Sequence, residues 1–260
     1  MYDFWKMRRR FTTRCEIESL LCRTLLVHSF ARVPILHGVV QGWTIDAHEA
    51  HNIASGFDPF FKMVASTANV PTATVTNEGL TITTAAVGAL DDAILCPHTQ
   101  VAVSLFGTAA ALVPLSGKTI RIAWGIKTGA TLTAYQLFVG AMTTIESVIS
   151  TTAAHDAAVF FYDLTYSANW QFVIVKNGVP TLTDTGIRVL IETPYLLELV
   201  IRPGDYRVEI YINSAHVGTT VGTVDPTKAM YPMLAVETGA AAAKHVHVRG
   251  VLVELEHGTT

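Results

Sequence analysis

The run Tyr195-Leu-Leu-Glu-Leu-Val-Ile-Arg-Pro-Gly-Asp-Tyr-Arg-Val-Glu-Ile-Tyr-Ile-Asn213 decides how the rest of the chain is read. Two apolar stretches rich in β-branched and aromatic residues flank Pro203-Gly-Asp205. Proline presets φ in a turn and glycine accepts positive φ, so the segment reads as two antiparallel strands, 195–202 and 206–213, facing each other across that turn. Upstream, 169–175 (NWQFVIV) runs into Lys176-Asn-Gly178, a second turn signal, and 72–76 and 80–84 flank Asn77-Glu-Gly79 in the manner of a hairpin. Further strands are expected at 101–106, 119–126, 135–140 and 157–163, and downstream at 230–237 and 245–256. In the last of these, Val246 and Val248 share one parity while Val251, Val253 and Leu255 have the other. A bulge at Gly250 would bring both sets to one core.

Short strands recurring about every ten residues predict an all-β fold, an antiparallel two-sheet jelly-roll sandwich. Composition agrees. The 260 residues are 50% hydrophobic and 15% charged, and 33 are Thr, set mostly beside Val, Ile and Leu. That is the chemistry of half-buried pleated strands, and it excludes a disordered or collagen-like chain. Apolar runs such as 109–115 are broken well short of the roughly 20 residues of a spanning helix, so no membrane is expected.

The first forty or so residues differ. Residues 16–30 place Ile17, Leu20, Leu21, Thr24, Leu25 and His28 at helix-compatible spacing, ahead of Pro34. Residues 1–32 hold seven basic and three acidic side chains, a local balance of +4, which leaves −7 for the remainder. The chain is therefore divided into a basic arm, 1–42, extended or partly helical, and a sandwich, 43–260. In the arm Phe4, Trp5, Lys6, Arg8, Arg9, Arg10 and Arg14 combine aromatic and cationic chemistry suited to a partner surface. Glu16, Glu18 and Arg23 interrupt any signal-peptide pattern. Cys15, Cys22 and Cys96 match no zinc spacing and read as free thiols of a reducing compartment.

Reactive constellations are sparse. Glu254 and Glu256 share a strand face without the third alternating carboxylate of a glucanase, and Glu198 sits among Leu and Val. Asp91-Asp92 offers too few oxygens for calcium. His245 and His247 form a two-point pair on one strand face, and His48-Glu49-Ala-His51 has its second His at i+3 rather than i+4. No cofactor is expected. Trp124, Tyr135, Phe138, Phe160, Phe161, Trp170 and Phe172 lie in apolar runs and read as core, which with the acidic body argues against nucleic acid. Tyr166, Asn169 and Tyr231 are glycan-contact candidates too scattered in sequence to form a site.

Several stretches carry a resemblance: Phe57-Asp-Pro-Phe-Phe-Lys62, Gly79-Leu-Thr-Ile-Thr-Thr84, Leu115-Ser-Gly-Lys-Thr-Ile-Arg-Ile-Ala-Trp124, Ala158-Val-Phe-Phe-Tyr-Asp163, Thr183-Asp-Thr-Gly-Ile187 and the hairpin strands above. Together they resemble the lectin/glucanase-like (LamG-type, concanavalin A-like) domains of structural proteins in tailed bacteriophages. The resemblance implies a non-enzymatic virion component made in the host cytoplasm. It points to a capsid decoration or cement protein docked on the major capsid protein through the arm, with a homo-oligomer, favouring a trimer, as its form. The alternative is a tail or fibre appendage, or a receptor (glycan)-binding module of the virion.

Overall fold

A computed structural model describes residues 34–35, 38–44, 53, 61–97, 117–143 and 156–257. The arm residues Phe4, Trp5, Lys6, Arg8, Arg9, Arg10 and Arg14, the helix expected at 16–30, the strand expected at 101–106, Cys15, Cys22, His48 and His51 lie outside the described residues.

Sixteen strands occur among the described residues: β1 (Pro34–Ile35), β2 (Gly38–Thr44), β3 (Phe61–Val64), β4 (Thr72–Thr76), β5 (Gly79–Thr83), β6 (Asp92–Pro97), β7 (Lys118–Lys127) and β8 (Tyr135–Met142), then β9 (Ala157–Asp163), β10 (Asn169–Lys176), β11 (Val179–Arg188), β12 (Pro194–Ile201), β13 (Arg207–Ile212), β14 (Ala215–Thr223), β15 (Tyr231–Thr238) and β16 (His245–His257). They form two antiparallel sheets, one of nine strands built on the path β1-β2-β16-β7-β12-β13-β14 with β5 and β4 attached to β16, and one of seven ordered β11-β10-β9-β8-β15-β6-β3. This is a jelly-roll sandwich. The hairpins expected at 72–84 and 195–213 are present, with Thr76 opposite Gly79 and Ile201 opposite Val208. β2 lies across residue 42, and β16 pairs with it from Gly38 to Thr44, so the sheet reaches back into the segment read as arm.

The strand pattern places alternate residues on opposite faces. Ile122, Trp124 and Ile126 of β7, Leu197 and Leu199 of β12, and Phe160, Tyr162, Trp170 and Phe172 of the seven-stranded sheet fill the interior between the sheets. Trp124 Nε1 donates across that interior to the Gly140 carbonyl at 3.1 Å, tying one sheet to the other. Phe138 and Phe161 are buried core residues as expected, but not between the two sheets. By parity they point to the outer face of the seven-stranded sheet, buried with Ile94, Cys96, Val159 and Val173 in a second apolar cluster.

The expected bulge is present: register slips between Val248 and Gly250, which leaves Arg249 as the extra residue. Val246, Val248, Val251 and Val253 consequently all reach the interior. Arg249 turns to pair with Glu78 of the β4–β5 turn. That turn needs Gly79, whose φ is +104° and whose absent Cβ would lie 2.6 Å from the Val248 carbonyl oxygen.

Six strands escape the sequence reading: β1, β2, β3, β6, β11 and β14. β11 and β14 are edge strands, which tolerate Pro180, Gly186, Gly218 and Gly222 because one side of the ladder is unpaired. β6 is a fully buried run between Asp92 and Pro97, too short for periodicity to register.

Candidate functional site

The six connections 65–71, 84–91, 128–134, 164–168, 189–193 and 239–244 gather at one end of the sandwich, because β3, β5, β7, β9, β11 and β15 end there and their successors begin there. Short polar side chains and backbone groups lace them together. Thr128 Oγ1 donates to the Leu190 carbonyl at 2.6 Å and accepts from the Thr193 amide at 3.0 Å. The Leu90 amide donates to the Thr238 carbonyl at 2.6 Å, the Gly239 amide to Ala134 at 2.9 Å, and the Glu192 amide to Gly129 at 3.2 Å. Lys244 Nζ reaches Thr131 Oγ1 at 3.0 Å.

Asp91 and Asp92, considered above for calcium, organise this end instead. Asp91 accepts from Asn69 Nδ2 at 2.6 Å and from the Val87 and Gly88 amides at 3.1 and 2.9 Å. Asp92 accepts from the Ser66 amide at 2.8 Å and from its hydroxyl. With both carboxylates committed to loop backbone and side-chain donors, the pair is a structural clasp.

Asp92 also begins a row of polar side chains over four adjacent strands on the outer face of the seven-stranded sheet. Asp92 of β6 stands opposite Glu237 of β15, Glu237 opposite Gln136 of β8, and Gln136 opposite Asp163 of β9. Three strand spacings make the row about 14 Å long. Gln136 Nε2 donates to Asp163 Oδ2 at 2.9 Å, and Asp163 Oδ1 accepts from the Thr165 amide and hydroxyl, both at 2.8 Å. Glu237 is different: it is half-buried and makes no hydrogen bond among the described residues. Burial, with the like charges of Asp92 and Asp163 adding to it, pushes its carboxyl up to about 7. Farther along this face Gln171 of β10 is buried opposite Asp184, and its Nε2 has no hydrogen-bond partner among the described residues.

Aromatic rings adjoin the row. Phe138 and Phe161 stack tilted at 5.0 Å, and the exposed ring of Tyr166 meets Phe161 edge-on at 5.8 Å. Structure thus brings two of the scattered glycan-contact candidates, Tyr166 and Asn169, to one end of the sandwich. Tyr231 starts β15 at the other end and packs against the interior. The row itself was missed in sequence, because its members are separated by 27 to 145 positions of chain and only strand order aligns them.

The remaining candidates resolve as structural. Arg121 on β7 binds Glu198 at 2.9 Å and Glu254 at 3.2 Å, so both carboxylates are held in an ion triad across β12, β7 and β16. His245 and His247 lie edge to face at 5.1 Å, with His247 Nδ1 2.7 Å from Thr81 Oγ1. Burial first, then the neighbouring His245 and Lys127, lowers the His247 pKa. Among the described residues no group of three His, Cys, Asp or Glu is placed to hold a metal ion. None of their helices is long and apolar enough to cross a membrane.

No protein-family profile matches the sequence, and none of the curated proteins compared is similar to it. Solved structures do match by fold. A protein of unknown function from Shewanella oneidensis MR-1 superposes with a TM-score of 0.58 at 11% identity, over 95% of this chain and 96% of that one. A legume lectin-like domain from Entamoeba histolytica gives 0.53 at 9% identity over 86% and 98%. The carbohydrate recognition domain of Emp46p in its potassium-bound form gives 0.50 at 10% identity over 77% and 89%. At such identities the likeness is one of fold, and the fold of this chain is the lectin-like jelly-roll sandwich.

Proposed function

We propose that this chain is a non-enzymatic saccharide-recognition module, of the kind a virion appendage would present to a host glycan. Glu237 and Gln136, the half-buried members of the row between the buried Asp92 and Asp163, carry the reading together with the exposed ring of Tyr166. Carboxylates and amides bind sugar hydroxyls, aromatic rings cover the C–H faces, and a ligand site sets a few polar groups within apolar surroundings. Glu237 offers an uncommitted carboxyl in the row, and Tyr166 an exposed ring beside it.

Glycoside hydrolysis is disfavoured by the same geometry. It needs a second carboxylate free to attack or to activate water, whereas Asp92 and Asp163 spend their oxygens on Ser66, Thr165 and Gln136. A glycan array probed with the full chain tests the proposal. Binding to neutral glycans should be lost at least tenfold in Glu237→Ala and in Tyr166→Ala. Retention in both, or no binding to any glycan, overturns it.

Capsid decoration through the arm is the second reading, favoured by the +4 and −7 division of charge. Copy number per particle separates the two: hundreds support decoration, a few dozen or fewer an appendage.

A further inference from the structure

Among the described residues, the loop end beside the row exposes apolar side chains in a way the opposite end does not. Among the described residues, twelve large apolar side chains are exposed, and seven of them sit in these loops: Val70, Val87 and Leu90, then Leu164 and Tyr166, then Leu190 and Ile191. The other five lie within strands, none in a loop of the opposite end. Leu90 is held in the left-handed region at φ 70° while its side chain faces solvent. A bulky residue with a Cβ at positive φ costs energy, and such strain persists where the surroundings enforce it. The hydrogen bonds joining the loops supply that enforcement, so the crown is a rigid apolar surface. Surfaces of this sort mark docking sites.

We propose that residues 1–33 of this chain dock on the crown, with Phe4 and Trp5 against its apolar side chains and Arg8, Arg9 and Arg10 over the acidic row. Two complementarities favour this occupant. The crown borders Asp92 and Asp163, which are buried, and Glu237, which is half-buried, and no ion pair to any of the three occurs among the described residues. The segment supplies both missing chemistries, aromatic side chains and an excess of cations. Crown-to-crown packing of two copies would instead bring two acidic rows together, and an anionic lipid surface would be repelled by them.

Reach is sufficient. Pro34 pairs with Val39, which stands opposite Leu255, and His245 at the crown end of β16 is ten residues away, about 33 Å along the strand. Thirty-three extended residues span up to about 110 Å, enough for the same molecule or a neighbouring one. Docking here would cover Tyr166 and the row on which the saccharide reading rests, so the test of this proposal reads the position of the arm and not glycan binding.

Disulfide trapping in the full chain tests it, in a background with Cys15→Ser and Cys22→Ser. W5C combined with L190C should crosslink at least tenfold faster than W5C combined with V221C, whose partner position is exposed on β14. R8E/R9E/R10E should remove the difference. A crosslinked monomer shows docking within one molecule and a crosslinked dimer docking between two, and both support the proposal. Equal rates for the two pairs, or faster L190C-to-L190C dimers, overturn it. Hydrogen exchange of the cysteine-intact chain gives a second reading: protection in 84–91 and 189–193 should fall in R8E/R9E/R10E, and unchanged protection overturns the proposal.

Discussion

Glu237 on β15 stands directly opposite Asp92 on β6, and among the described residues only the Asp92 carboxylate accepts hydrogen bonds. Asp92 is fixed by Ser66, whereas Glu237 carries the cost of sharing a half-buried row with two other carboxylates.

That cost depends on pH. The folded protein holds the Glu237 proton up to about pH 7, while the unfolded chain releases it near 4.5. Between these values the folded state binds more protons, so the contribution of this group is fully present below about 4.5 and is lost as pH rises through 7. Glu237→Gln should raise the thermal midpoint at pH 8, leave it nearly unchanged at pH 4.5, and flatten the profile between. Midpoints measured across that range check this; a parallel displacement at every pH would contradict it.

Gly79 should resist substitution more than Gly117. Both have positive φ, but a Cβ on Gly79 meets the Val248 carbonyl, while a Cβ on Gly117 meets nothing within 4 Å. Gly117→Ala is expected to cost about 1 kcal/mol, the conformational penalty alone, and Gly79→Ala about 2–4 kcal/mol. Urea denaturation of the two variants gives the comparison.

The Arg121 triad sets up a contrast between breaking and replacing. Glu198 is almost fully buried, so Arg121→Ala leaves an unpaired buried carboxylate and should destabilise by about 3–5 kcal/mol. Replacing Arg121 by Met together with Glu198 by Leu should cost far less than Arg121→Ala, since an apolar pair needs no partner. Denaturation of both variants measures the difference.

Trp124→Phe should cost about 2–4 kcal/mol, combining lost volume with a Gly140 carbonyl left without its donor. Because that bond joins the two sheets, amide exchange should accelerate in both β7 and β8. Acceleration confined to β7 would show that the bond does not couple the sheets.

Much of the fold was legible because strand chemistry is local. The Pro203-Gly-Asp205 and Asn77-Glu-Gly79 turns state where the chain reverses, and the parity change across Gly250 states that the last strand must slip by one residue. Edge strands were harder. β11 alternates Thr with exposed residues and contains Pro180 and Gly186, so nothing in its composition separates it from a loop until β10 pairs with it. Phe138 and Phe161 show another limit: an apolar run tells that both faces of a strand are buried, not which face looks inward.

Of the candidate site only Tyr166 and Asn169 were legible, and the polar row was not. Asp92, Gln136, Asp163 and Glu237 carry no spacing pattern, and hydrogen-bonded strand order alone sets them side by side. Sequence by itself determined the all-β class, the hairpins, the bulge and the division of charge between a basic leader and an acidic body, because turn chemistry, side-chain period and charge are properties of neighbours in the chain. Tertiary structure alone decided which carboxylates are paired, which one is left to titrate near neutrality, and which loops form a common apolar end. Those depend on contacts between residues 27 to 145 positions apart, and only sheet order brings such residues within reach of one another.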